Sequence, residues 1–598
     1  MKTLKLFAVL LFSLLIFSGF NFQTDKNTIT DISSYGRFIP DVMNNVNVYD
    51  KVLNLQRTFK LGSDTLPTFT GFPVTVSGTT FEGCIFCNMD SDPELEIVIN
   101  IAYTVQALNM DGTPVTGWPK TVSSYALEGS PAFGDIDGDG QGEIVVTNHG
   151  LTSGGYIYAF KKDGTALTGF PINHGYSSRS PVLADMNNDG KMEIIVNKRT
   201  YPTGSVYVYK YDGTILTGWP KAIGHVPASS AAVGDINGDN SPEIIMESYT
   251  GLYAWKSNGD SIPGFPFMMP NGDVNSYSSP VLADVDGDNI REIIFGTHVS
   301  GGGGYVYILK NNGTVLSGWP KQTNQWIYGP PAVGYVDNDN IIDIVVGDQV
   351  MSMTPSDYVY GWNKNGTALS GFPIGPLNAV NSQVILGDIN NDTYTELIFD
   401  DNTSTLDTGK YLGYRYNGTP LPGWPQPTRG TTFFVTPCLT DINRNGIMDI
   451  VGAGISGTAP SQSTNVYLWN TGSAYSPSKV QIPMWQYNAR HTGVYGNIDV
   501  VSVEENLSGI PEKYSLKQNY PNPFNPSTTI GFDMQKPGLV NIIAYDITGK
   551  ECAVIFSGYK TAGYHEMKFN ASNLTSGIYF YKITANGYTD TKKMMLVK

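Results

Sequence analysis

One twelve-residue phrase recurs through this chain at a nearly constant interval, and no other feature restricts its fold as strongly. It reads DIDGDGQGEIVV from Asp135, DMNNDGKMEIIV from Asp185, DINGDNSPEIIM from Asp235, DVDGDNIREIIF from Asp284 and DINNDTYTELIF from Asp388. Weaker copies begin at Asn88, Tyr335 and Asp441, so that successive starts lie 47 to 53 residues apart. A period of this length marks a repeat architecture of supersecondary units. The 598 residues also exceed the roughly 250 to 300 that one core sustains without repeats.

A second phrase, Gly followed by Trp or Phe and then Pro, closes each unit: Gly117-Trp118-Pro119, Gly169-Phe170-Pro171, Gly218-Trp219-Pro220, Gly264-Phe265-Pro266, Gly318-Trp319-Pro320, Gly371-Phe372-Pro373 and Gly423-Trp424-Pro425. An eighth, Gly71-Phe72-Pro73, precedes the first loop, and none follows the loop at Asp441. One end thus carries a spare closing strand and the other lacks one, as in a ring whose last blade is completed by the N-terminus. Phe72 is therefore expected beside the strand Val466 to Trp469. Within a unit, Asp-Gly or Asn-Gly pairs such as Asp163-Gly164 separate alternating runs, a strong hairpin signal because both central turn residues need positive φ.

Abundant glycine (66) and tyrosine (36) with only 15% charged residues favour strands and turns over surface helices. The expected fold is all-β: a β-propeller of eight, alternatively seven, four-stranded blades, followed by a small C-terminal β-sandwich. Aromatic strings in the third strands, such as VYVYKY from Val206, suit packing between blades better than a sugar platform.

The loops carry the chemistry. Asp135, Asp137 and Asp139 alternate, a glycine lets the chain double back, and Glu143 closes the loop at the ninth position. Hard oxygen ligands in a tight turn suit calcium, and a β-run follows where an EF-hand would have a helix. The same frame selects Asp185, Asn187, Asp189 and Glu193; Asp235, Asn237, Asp239 and Glu243; Asp284, Asp286, Asp288 and Glu292; and Asp388, Asn390, Asp392 and Glu396. The weaker copies supply Asp90, Asp92 and Glu96; Asp337, Asp339 and Asp343 behind Tyr335; and Asp441, Asn443, Asn445 and Asp449. Carboxylates this close repel one another, so several structural Ca2+ ions explain the clustering where solubility alone does not. The net charge of −16 argues against nucleic acid as a partner.

These residues resemble the FG-GAP repeats of integrin α-subunit propellers and related bacterial VCBS-type repeats. The resemblance implies calcium on one face and a recognition, scaffolding or adhesion role over residues 55–497. The segment MWQYNARHTGVYG from Met484 is similar to the closing segment of such bacterial propellers. After a linker at 498–512, residues 513–598 resemble the type A C-terminal sorting domain of type IX secretion cargo, through Pro521-Asn522-Pro523-Phe524-Asn525-Pro526, SGIYFYKI from Ser576 and the final KKMMLVK. That resemblance implies the type IX secretion machinery as partner, outer-membrane transit, removal of the domain, and release or surface attachment.

Lys2 and Lys5 ahead of an apolar run from Leu6 to Phe17 read as a signal peptide over 1–20, hence Sec export. Residues 21–54 carry no assignable signal, and no later stretch is long and apolar enough to span a membrane as a helix. Cys84 and Cys87 would lie about 10 Å apart on one strand, too far for a bond. Cys438 is expected near one of them across the ring closure. The histidines His149, His174, His225, His298, His491 and His565 are scattered, the first three in stretches that suit a surface or turn role. No catalytic constellation stands out, which favours a secreted, non-enzymatic recognition module with a glycan or protein ligand. A polysaccharide-acting lyase or hydrolase on a calcium-stabilised propeller, and a purely structural surface protein, are the alternatives.

Overall fold

The computed structural model describes residues 65–496 and 513–598 apart from short loop stretches, together with the backbone of three strands, Arg37–Pro40, Asn45–Tyr49 and Leu55–Lys60. Those three strands form one antiparallel sheet. The expected signal segment at 1–20 and linker at 498–512 lie outside the described residues. Two compact units divide the chain, Met1–Ser502 and Val503–Lys598.

The first unit is a β-propeller. Among the described residues it contains eight sheets of four or five strands, each holding one copy of the Asp loop, and no α-helix. In the second sheet, Ala132–Gly134 pairs antiparallel with Glu143–Thr147, which pairs with Tyr156–Phe160 and then Ile172–Asn173. The loop joins the innermost strand to the next one out. Ile144, Val145 and Val146 are all fully buried, because each sheet is covered on both faces by its neighbours and an uninterrupted apolar run suits a strand buried on both sides.

The two recurrent phrases meet where sheets adjoin. Gly117 has φ +91°, and a Cβ there would overlap the carbonyl oxygen of Asp163 in the next sheet's hairpin turn. Beside it, Trp118 Nε1 donates to the Lys162 carbonyl at 2.7 Å; Trp219 and Trp319 donate likewise to Ser257 and Lys364 at 3.0 and 2.9 Å. The same indoles meet Phe160, Trp255 and Trp362 edge-on at 5.9, 5.9 and 6.0 Å. The third-strand aromatics are thus the surface on which the preceding blade's tryptophan seats, an arrangement worth about 0.5 to 1.5 kcal/mol per ring pair beyond burial.

Closure joins the ends as the offset between loops and closing phrases requires. Val74–Ser77 is the outermost strand of the eighth sheet, with Val74 opposite Val466 and Ser77 opposite Ser463, and Phe69 N donates to Leu468 O at 3.1 Å. On the inside, Val435–Thr436 runs parallel to Glu82–Cys87 of the first sheet, Thr436 opposite Gly83.

The segment from Met484 runs along the axis. Phe133, Leu183, Val233 and Leu282, each on an innermost strand, donate their backbone N–H to the carbonyls of Ala489, Arg490, Thr492 and Gly493 at 2.8, 3.0, 2.8 and 2.8 Å. Innermost strands expose an edge of unpaired donors, and this segment satisfies them. Trp485, Tyr487, Asn488 and His491 are buried among those strands.

The second unit packs a sheet of Ser515–Leu516, Ser527–Met534 and Gly563–Asn570 against a sheet of Glu551–Lys560, Gly538–Tyr545, Gly577–Ala585 and Tyr588–Leu596. Phe532 and Phe569 from one sheet share a core with Ile542, Tyr581 and Met594 from the other, a β-sandwich.

Candidate functional site

One contact is common to all eight Asp loops. The closing acid accepts the N–H of the loop's second residue: Glu96 from Met89 (2.5 Å), Glu143 from Ile136 (3.0 Å), Glu193 from Met186 (2.8 Å), Glu243 from Ile236 (2.9 Å), Glu292 from Val285 (2.8 Å), Asp343 from Val336 (2.8 Å), Glu396 from Ile389 (3.0 Å) and Asp449 from Ile442 (3.2 Å). The second residue is apolar and buried in every copy, so it anchors the turn while its N–H fixes the acid. The first acid folds the loop on itself: Asp135 accepts Gly138 N at 2.7 Å and Gly140 N at 2.9 Å. These contacts occupy one oxygen of the closing acid and leave the other facing the loop's centre.

What meets that oxygen divides the loops. In four of them three carboxylates bring one oxygen each within 4.8 Å of one another: Asp90, Asp92 and Glu96; Asp135, Asp137 and Glu143; Asp284, Asp286 and Glu292; Asp388, Asp392 and Glu396. Glu143 Oε1, Asp286 Oδ1, Asp343 Oδ1 and Asp388 Oδ1 are buried without a hydrogen-bond partner. In three of the loops with Asn at the third position, its Nδ2 turns to the closing acid: Asn187 to Glu193 Oε1 at 2.9 Å, Asn237 to Glu243 Oε1 at 2.6 Å, Asn390 to Glu396 Oε1 at 2.7 Å. In the eighth loop Asn470 reaches Asp449 Oδ1 at 3.2 Å, while Asn445 N donates to Asp441 Oδ1 at 3.0 Å and to Asn443 Oδ1 at 3.2 Å. The sixth loop has no first acid. There Tyr335 is held by Gln481, which accepts its N–H at 2.6 Å and donates to its carbonyl at 2.8 Å.

The electrostatics match this geometry. Burial, reinforced by the neighbouring aspartates, pushes Glu143, Glu193, Glu243 and Glu292 up to about 7 and Glu96 and Glu396 up to about 8. Asp343 and Asp449 are likewise raised to about 7, mainly by burial. Lysines that the repeat phrase does not contain also enter the loops. Lys161 lies 2.8 Å from Asp139 and 3.3 Å from Asp137, Lys310 lies 2.7 Å from Asp286, and Lys479 lies 3.5 Å from Asp388. Lys161 and Lys310 directly follow third-strand runs, which is the signal that locates them.

A second constellation lies at the other end of the innermost strands, where one sheet leads into the next. Glu82, Arg179, Tyr277, Tyr328 and Phe434, from the entries of five different sheets, converge there. The Arg179 guanidinium lies 4.4 Å from the Tyr277 ring centre and 5.0 Å from that of Phe434, and it pairs with the fully buried Glu82 at 2.9 Å. Ser180 donates its hydroxyl to the same carboxylate. Tyr328 stacks on Phe434 at 5.7 Å and meets Tyr277 edge-on at 5.0 Å; the rings continue through Trp326, His298, Tyr249 and His225 at 6.2, 4.9, 6.0 and 4.9 Å. Glu82, Arg179, Tyr277 and Phe434 all hold left-handed φ, +67°, +78°, +52° and +58°. Bulky side chains avoid that region unless their surroundings impose it, and such residues concentrate at functional sites. These side chains stand six or seven residues before a loop start, where the residue type changes from copy to copy, so the repeat phrase does not single them out.

Among the described residues, His225 and His298 belong to that ring series. His149 lies outside the described residues. His174 is buried, contrary to a surface role, because its ring nitrogens reach Tyr209 Oη at 3.1 Å and Asn197 O at 2.9 Å. His491 is buried in the axial segment against Pro181 O at 3.2 Å.

Residues 135–196 match the family described as an FG-GAP-like repeat, and residues 518–598 match the secretion system C-terminal sorting domain. The chain is therefore an exported one, released or attached at the surface, with the type IX secretion system as the partner of its C-terminal domain. A search of the curated proteins finds no match. Among solved structures the chain is similar to the V. cholerae biofilm matrix protein Bap1 (13% identity, 71% of this chain and 96% of that one, TM-score 0.36). It is also similar to a europium-containing methanol dehydrogenase (10%, 60% and 79%, 0.38) and the Pseudomonas aeruginosa PilY1 C-terminal domain (12%, 62% and 92%, 0.35).

Proposed function

We propose that this protein is a calcium-stabilised recognition module that binds a glycan at the outer cell surface and catalyses no reaction. The propeller at 55–497 is the binding body, and the domain at 513–598 is the sorting signal, removed after transit. The observation that carries the reading is the aromatic cluster around Arg179, which we read as the mouth of the binding site. The exposed parts of half-buried Tyr277, Trp326, Tyr328 and Phe434 would meet the apolar face of a sugar, while phenol hydroxyls and the indole N–H would serve its hydroxyls. Arg179 is neutralised by Glu82, so the mouth favours neutral sugars over polyanions, consistent with a chain of net charge −16.

Calcium would be held by the Asp loops at the opposite end. The buried, unpartnered oxygens of Glu143, Asp286 and Asp388 suit a hard cation, since an orphaned buried carboxylate oxygen is otherwise costly. The loops with Asn at the third position would ligate through Asn187, Asn237 and Asn390 Oδ1 once the amide turns over, a rotation that leaves its shape unchanged. Asp441 with Asn443, Asn445 and Asp449 is the set with fewest acids, and Asp337 and Asp339 with Asp343 have Tyr335 in place of a first acid.

The test is a glycan array on the calcium-loaded full chain beside a Trp326→Ala/Tyr328→Ala variant, with a depolymerisation assay on every glycan retained. Retention lost in the variant without a change in melting temperature is the expected result. Undiminished retention by the variant, or release of new reducing ends by the wild type, would overturn the reading.

A further inference from the structure

Two of the four cysteines, 354 residues apart in the chain, meet at the seam of the ring. Cys84 is on Glu82–Cys87, the innermost strand of the first sheet, and Cys438 begins Cys438–Thr440, the innermost strand of the eighth. Their Sγ atoms lie 3.4 Å apart, with the two residues 3% and 0% exposed. The backbones are already at pairing distance, because Thr436 stands opposite Gly83 in a parallel ladder and paired strands run about 4.8 Å apart. Continued one step, that register sets Pro437 opposite Cys84 and Cys438 one residue further, an offset of about 6 Å between Cα atoms that falls within the roughly 4.4 to 6.8 Å a disulfide requires. Cys87 is three residues from Cys84 on the same strand, so its side chain points to the opposite face.

We infer that Cys84 and Cys438 form a disulfide in the exported protein, a covalent clasp between its first and last sheets. The oxidant is the disulfide of a thiol–disulfide oxidoreductase, the class that serves exported chains. One thiolate of the pair attacks that disulfide to give a mixed disulfide. The other thiolate then displaces the oxidoreductase sulfur, the Cys84–Cys438 bond forms, and two electrons and two protons leave with the oxidoreductase as its dithiol.

The bond belongs to folding and does not act as a switch. Thiolate is the nucleophile in exchange, and burial holds the Cys438 thiol well above its ordinary range once the ring is shut. Oxidation therefore precedes or accompanies closure, after which the bond is sealed from reductants. The clasp acts on the inside of the seam and the Val74–Val466 ladder on the outside, so the ends are held at two radii.

The test is to refold the full chain in a glutathione redox buffer, denature it without reductant and alkylate it. Two thiols labelled, four after reduction, and a peptide pair joining Cys84 to Cys438 are expected. The oxidised protein should melt a few degrees above protein refolded in reductant, about 3 to 5 °C. Cys438→Ala should melt alike under both conditions, while Cys552→Ala keeps the difference. Labelling of all four thiols without reductant, or a bond through Cys87 or Cys552, overturns the inference; because mapping uses the wild type, it decides the matter even if Cys438→Ala does not fold.

Discussion

Thr75 donates its hydroxyl to Asn465 Oδ1 at 2.8 Å across 390 residues of chain, inside the ladder that makes Val74–Ser77 the last strand of the eighth sheet. The backbone of a propeller does not close on itself, and its seam is the place where two ends must hold as firmly as any interior pair of strands. Val76→Pro deletes a ladder donor opposite Thr464, and a chain beginning after residue 81 deletes the whole strand. We expect the point variant to lose about 2 to 4 kcal/mol in urea unfolding. The truncation should also yield early proteolysis at the eighth sheet. Unchanged protease resistance of the truncated chain would show that the outer ladder is dispensable.

Calcium removal should weaken the propeller before it touches the aromatic mouth. A ligand that binds only the folded state adds RT ln(1 + [L]/Kd), about 2.7 kcal/mol per site at a hundredfold excess. Asp286→Ala removes a half-buried carboxylate with one buried, unpartnered oxygen and should abolish part of the EDTA-sensitive gain in melting temperature. Asp337→Ala, in the loop that starts with Tyr335, should change it least. Differential scanning calorimetry with EDTA or millimolar calcium, with elemental analysis for bound metal, checks this; superimposed traces would show that the loops are solvated turns.

Glu247 occupies the position four residues after a closing acid where Asn100 and Asn197 stand in other sheets. Those amides donate at 2.9 Å to the carbonyls of Gly129 and Ser229 at the next sheet's entry. Both Glu247 oxygens are buried and unpartnered, and burial pushes its pKa well above the carboxylate range. A folded-state value above the unfolded one means stability that is present below about pH 4.5 and lost as pH rises. Glu247→Gln removes that loss and supplies a donor, so it should gain about 1 to 3 kcal/mol at pH 8 and little at pH 4. Chemical denaturation at the two pH values measures the difference.

Acid should destabilise the propeller through its buried histidines. Burial lowers His174, His298 and His491 to about 4. The unfolded chain takes up these protons near pH 6.5, so the contribution is fully present above that value and falls as pH drops from 6.5 towards 4. Each group costs about 1.4 kcal/mol per pH unit in that window. His491→Asn, which can still donate to Pro181 O, should flatten the slope of stability against pH by one group's share. An unaltered slope would place the acid sensitivity elsewhere.

The repeat, the closing phrases and their mismatch at the two ends were legible because each recurs in a position where every blade makes the same contact. Trp118, Trp219 and Trp319 meet the same hairpin in successive sheets, and each closing acid binds the same N–H. Local chemistry repeated at a fixed interval is written in the chain itself, and the ring closure by Val74–Ser77 followed from counting it. The mouth is different in kind. Glu82, Arg179, Tyr277, Tyr328 and Phe434 stand at equivalent points six or seven residues before a loop, but no residue type repeats there, and they meet only because closing the ring brings the entries of five sheets to one axis. The same closure sets Cys84 against Cys438, routes Met484 to Gly496 along the axis, and decides which loop oxygens keep a partner. Such contacts depend on where whole sheets stand relative to one another, a sum over all the inter-sheet packing that no single segment of sequence carries.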